Sequence, residues 1–75
     1  MKGYVVVYQG NDETGYGAYS PDLPGVVAAA ETWDEITKLM PEAMAFHLEG
    51  LREAGDPIPE PLEIADVVVV NPTAA

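Results

Sequence analysis

Few side chains in this sequence are equipped for chemistry. There is one histidine, His47, and no cysteine, so a zinc site, which draws on closely spaced Cys and His, has no ligand set. Histidine is the usual general base near neutral pH. His47, however, falls mid-helix on or beside an apolar stripe, where a structural histidine hydrogen-bonded at the core's edge is the stronger reading. Ser20 precedes Pro21 and is better explained as a turn residue than as a nucleophile. Gly15-Tyr16-Gly17 lacks the further glycines and the helix start of a phosphate loop. Carboxylates are plentiful, and together they could support two-metal phosphodiester hydrolysis. Such a site needs acids converging at strand centres and a helix end. No acid lies between Lys2 and Gln9, the last apolar run holds Asp66 with only Glu63 near its start, Glu42, Glu49 and Glu53 fall on a helix surface, and Asp12 and Glu13 fall in a loop. A metal-dependent nuclease is therefore the most distant reading, and neither catalysis nor a cofactor is expected.

The elements that would position these groups follow from residue type and period. Lys2 to Gln9 is β-branched and aromatic and reads as a strand. Gly10 to Gly15 is a turn, because Gly, Asn and Asp tolerate the backbone that hairpins need. Tyr16 to Ser20 returns as a second strand. The prolines of Pro21-Asp22-Leu23-Pro24-Gly25 end it by removing ladder donors, and Val26 to Ala30 makes a third. Thr32-Trp33-Asp34-Glu35 is a capping box in which Thr32 accepts from the Glu35 amide while the Glu35 carboxylate reaches back to the Thr32 amide. The helix it opens runs to about Ala54 and stops at Gly55. Ile36, Met40, Ala43, His47, Leu51 and Ala54 recur at helical spacing, widened by Trp33, Leu39, Met44, Phe46 and Leu48. Pro41 removes one helical hydrogen bond and predicts a kink or a junction of two helices. Asp56 to Pro61 is a stiff connector, Leu62 to Val70 reads as a final strand, and residues 71–75 as a frayed tail. The expected class is α+β, in the order β-β-β-α-β: a small antiparallel three-stranded sheet, a further strand, and one helix packed on one face. Residues 1–75 form a single domain.

Strand side chains alternate between sheet faces. Tyr4, Val6 and Tyr8 oppose Val5 and Val7, and Val67 and Val69 oppose Val68 and Val70, so both faces are apolar. One helix covers one face. The other, assigned to Tyr4, Val6, Tyr8, Val68 and Val70, predicts burial in a homo-oligomer, a dimer or larger.

Thirteen acids against three bases give a formal charge of −10. Nucleic-acid binding works through Lys and Arg displacing counterions, so direct nucleic-acid contact is not expected, nor is an anionic membrane. A basic protein partner would be steered toward such a surface; solubility alone explains the charge equally well. The N-terminal apolar run is too short for a signal peptide or a span, which makes the cytoplasm the default location.

Residues 15–32, with a Gly-Tyr strand, then Pro21-Asp22-Leu23-Pro24-Gly25, then a short strand ending at Glu31-Thr32, resemble the N-terminal domain of HicB-family antitoxins. Glu42-Ala43-Met44-Ala45-Phe46-His47-Leu48 resembles the family's helix, and Gly55-Asp56-Pro57-Ile58-Pro59-Glu60-Pro61 its connector. The resemblance spans residues 2 to 61. It implies a partial ribonuclease-H-like fold used as a non-catalytic scaffold, and a function in neutralising a small basic mRNA-cleaving toxin, HicA. Many members also carry a DNA-binding domain, for which a chain ending at Ala75 has no room, so a stand-alone domain is expected. Asp22 and Leu23 at the loop tip, and Glu42, Glu49 and Glu53 on the helix, are the candidate partner contacts, although turn geometry explains the first two and a solvated face the other three. The alternative is an orphan homo-oligomeric adaptor without a toxin.

Overall fold

The computed structural model describes residues 3–73. Three antiparallel strands in the order β1-β2-β3 are followed by one helix: β1 (Val7–Asn11), β2 (Gly15–Tyr19), β3 (Val27–Ala30) and α1 (Trp33–Ala54). This is the expected α+β arrangement. The last apolar run differs from expectation: Leu62 to Val70 joins no ladder and lies exposed. Strand propensity reflects the fit to a pleated, half-buried surface, and within the single chain these residues find no such surface.

Turn chemistry sets the sheet. The first strand begins later than its composition suggests, with Lys2 outside the described residues, and continues through Asn11, which pairs with Gly15. The Asn11 carboxamide oxygen accepts from the Glu13 and Thr14 amides, both at 2.9 Å, and closes the hairpin. Gly10 bridges the strands with φ of 119°, a conformation glycine adopts without a side-chain penalty. Two successive turns join β2 to β3, with Leu23 N–H donating to the Ser20 carbonyl and Val26 N–H to the Leu23 carbonyl. In the second turn Pro24 precedes Gly25 at φ 94°, the type II pattern.

Register decides which face is covered. Tyr8 pairs with Ala18 and Ala18 with Ala28, and Ala18 is buried under the helix with Leu23, Val26, Ile36 and Met40. Tyr4, Val6, Tyr8 and Tyr16 pack against this same core. The open face therefore carries Val5, Val7, Tyr19, Val27 and Ala29, and the assignment of Tyr4, Val6 and Tyr8 to an uncovered face is corrected. Leu23, Ile36 and Met40 are fully buried, each contributing about 1.5–3 kcal/mol of hydrophobic stabilisation.

Helix α1 starts and stops as its sequence dictates, with one change in the cap. Thr32 Oγ1 accepts from the Glu35 amide at 3.2 Å, but the return bond runs from the Thr32 hydroxyl to the Glu35 carboxylate at 2.9 Å. Trp33 meets Tyr8 and Tyr16 edge-on, with centroids 4.9 and 5.8 Å away. At the far end Gly55 is left-handed, and the Gly55 and Asp56 amides reach the Arg52 and Leu51 carbonyls. Pro41 lies inside a single helix and does not divide it. No helix among the described residues is long and apolar enough to cross a membrane.

Candidate partner-binding face

The outer side of α1 is where charge and apolar surface meet. Ile36 and Met40 point into the core, with Ala43, Met44, His47, Leu48 and Leu51 half-buried behind them. Glu35, Glu42, Glu49 and Glu53 are exposed, and their spacing lines them along one stripe of the helix. Phe46, placed on the apolar stripe by its spacing, is instead 81% exposed. Val27, at the start of β3, is 73% exposed. Between these two residues lies a groove of about 380 Å³, lined by Gly25, Val26, Val27, Ala43, Phe46, His47, Gly50 and Leu51. Further along α1 a second depression takes in Ala29, Glu31, Glu35, Leu39 and Glu42. The combined face is an apolar groove with carboxylates at its margin. Lys38 brings a positive charge to this side, but it pairs with Asp34 at 3.1 Å.

His47 lines the groove, and its ring is near Gly25, where an added Cβ would come within 3.9 Å of Cε1. No group of three or more His, Asp or Glu among the described residues could hold a metal ion. Asp66 is exposed, and its carboxylate accepts only from the adjacent Val67 amide, at 2.8 Å. The face is suited to contact.

The loop-tip candidates lie elsewhere. Leu23 is 0% exposed and belongs to the core. Asp22 is buried, and its carboxylate accepts the Val5 amide at 2.7 Å on one oxygen and the Leu62 and Glu63 amides at 3.2 and 3.0 Å on the other. These bonds, that from Val5 foremost, hold the Asp22 carboxyl below its ordinary range against the opposing cost of desolvation. The pair therefore faces inward, because the prolines on either side fold the loop back onto the core. Of the expected contacts, Glu42, Glu49 and Glu53 remain on the surface. Glu35, Phe46 and Val27 are the additions. Glu35 was detectable from its helical phase with Glu42, whereas Phe46 and Val27 become neighbours only through the β3–α1 packing.

A family model described as the HicB-like antitoxin of a bacterial toxin-antitoxin system matches residues 4–73. Comparisons with curated proteins and with solved structures return no match.

Proposed function

The chain belongs to the HicB-like antitoxin family of bacterial toxin-antitoxin systems, and we propose that it neutralises a small, basic, mRNA-cleaving toxin of the HicA kind by direct contact in the cytoplasm. The observation that carries this reading is the acid-margined groove on α1. Glu35, Glu42, Glu49 and Glu53 offer carboxylates to basic side chains that would otherwise hold RNA, while Phe46, with Ala43 and Leu51 beside it, offers apolar area at the centre. Charge at the margin speeds encounter and sets specificity, and apolar contact at the centre supplies most of the affinity. Inhibition of this kind requires occupancy and no catalysis by the antitoxin. The scaffold role of a partial ribonuclease-H-like fold and the absence of direct nucleic-acid contact belong to the same proposal.

The test is calorimetric titration of the full chain with such a toxin at low and high salt. Binding that weakens at high salt, and that falls at least about tenfold in the double variant Glu42→Lys, Glu49→Lys, is expected. Undiminished binding by the double variant would place the toxin on another surface. A second reading, a self-associating adaptor without a toxin, is favoured by one specific observation, the exposed valines of Val67–Val70.

A further inference from the structure

Strand β3 pairs with β2 on one side only, so its other side is an edge of the sheet. Val27–Ala30 carries neither the charges nor the proline that commonly blunt such an edge. Alternation along the strand decides which backbone groups are free there. The Ala28 and Ala30 carbonyl oxygens lie toward β2, 3.9 and 3.3 Å from where a Cβ would stand on Gly17 and Gly15. Successive residues turn their N–H and C=O in opposite directions. Val27 and Ala29 therefore aim theirs outward.

The flanks of that edge define the shape of an occupant. The groove holding Phe46 opens beside Val27, and the depression holding Leu39 and Glu42 opens beside Ala29 and Ala30, so the two lie end to end along β3. Leu39 and Phe46 are about 10 Å apart along the helix axis, the length of about three strand residues. Phe46 stands on the helix side of the edge. Val27, in register with Tyr19 and through it with Val7, stands on the opposite, uncovered face of the sheet. Both are largely exposed. A partner resting on the helix alone would leave Val27 bare, and one resting on the sheet face would leave Phe46 bare. An added strand covers both, because its side chains alternate between the two faces.

We propose that the basic toxin binds by adding an extended strand to this edge, pairing its backbone with the outward groups of Val27 and Ala29. The proposal rests on the antitoxin reading and specifies its mode of contact. Charge selects the occupant. Glu31, Glu35 and Glu42 are exposed along the edge, and Lys38 beside them is paired with Asp34. A strand that interleaves Lys or Arg with apolar residues therefore matches the site. A second copy of this chain would bring the same carboxylates against themselves, and the chain's own Leu62–Val70 run carries Glu63 and Asp66. Like charges oppose both.

The experiment is titration of the full chain with an inactivated toxin of the HicA kind, paired with amide hydrogen exchange. Ala29→Pro removes one outward N–H at a sheet edge, a place where proline is tolerated, while Ala29→Thr keeps it. Ala29→Pro should raise Kd at least about tenfold and Ala29→Thr less than about threefold, both with a circular dichroism spectrum like that of the wild type. In the wild-type complex the Val27 and Ala29 amides should exchange more slowly than in the free chain, whatever the fate of the proline variant. The Ala28 and Ala30 amides, already facing β2, should change little. Full-affinity binding by a folded Ala29→Pro chain, or Val27 and Ala29 amides that exchange equally fast free and bound, would overturn strand addition and leave the antitoxin reading standing. Protection of these two amides in the free chain that rises with its concentration would give the edge to a second copy and overturn the proposal as well. A wild type that binds no such toxin would overturn the antitoxin reading, and strand addition with it.

Discussion

The Asp22 carboxylate accepts the Glu63 amide at 3.0 Å across 41 positions of sequence. With the Val5 and Leu62 amides on the same side chain, one residue joins the approach to β1, the loop after β2 and the root of the C-terminal segment. A carboxylate that accepts several amides is held in its charged form, and the pH behaviour follows. The group's folded value lies below its ordinary 3.8, so its contribution to stability is complete above that value and is lost as pH falls through the folded value. Asp22→Ala should lower Tm by several degrees at pH 7 and speed hydrogen exchange at Val5, Leu62 and Glu63. The difference from wild type should shrink below about pH 4. A difference that stays constant from pH 7 to pH 2 would show that the charge plays no part.

Leu23 and Phe46 should exchange the roles their sequence positions suggest. Leu23 is fully buried and Phe46 largely exposed. Leu23→Ala should cost about 2–5 kcal/mol of folding stability in denaturant titration. Phe46→Ala should change stability by less than about 0.5 kcal/mol while weakening toxin binding. Equal losses of stability in the two variants would contradict this division.

Gly10 has no room for a side chain. At φ 119° an added Cβ would run into the Gly15 carbonyl across the hairpin. The obstacle is backbone and cannot swing aside. Gly10→Ala should therefore destabilise the fold by about 2 kcal/mol or more, read from chemical denaturation, whereas a shift under about 0.5 kcal/mol would show that the hairpin relaxes freely.

The sequence was most legible where the determinants are local. Thr32, Glu35 and Gly55 place the helix ends, and Pro24-Gly25 places a turn, because caps and turns depend on a few adjacent residues. The covered face of the first strand was not legible. Tyr4 to Tyr8 is apolar at every position, so the period of two carries no sign. The pairing of Tyr8 with Ala18, and the burial of Ala18 beneath α1, supply that sign. Asp22 was misplaced at the surface for a related reason: its partners at Val5, Leu62 and Glu63 are remote, and a carboxylate between prolines reads as solvated. Leu62 to Val70 has strand composition, but composition cannot supply a neighbour. On the candidate face, Glu42, Glu49 and Glu53 could be read from helical phase, whereas Phe46 and Val27 needed the β3–α1 contact.

The clamp at Asp22 also acts as a leash. From Glu63 to Val70 an extended chain spans at most about 25 Å, so the exposed valines are confined within that radius of a fixed point. A site inside that radius meets the tail at an effective concentration in the millimolar range, and a site outside it is never reached. By holding Glu63 in place, the buried carboxylate limits which surfaces the valine run can touch.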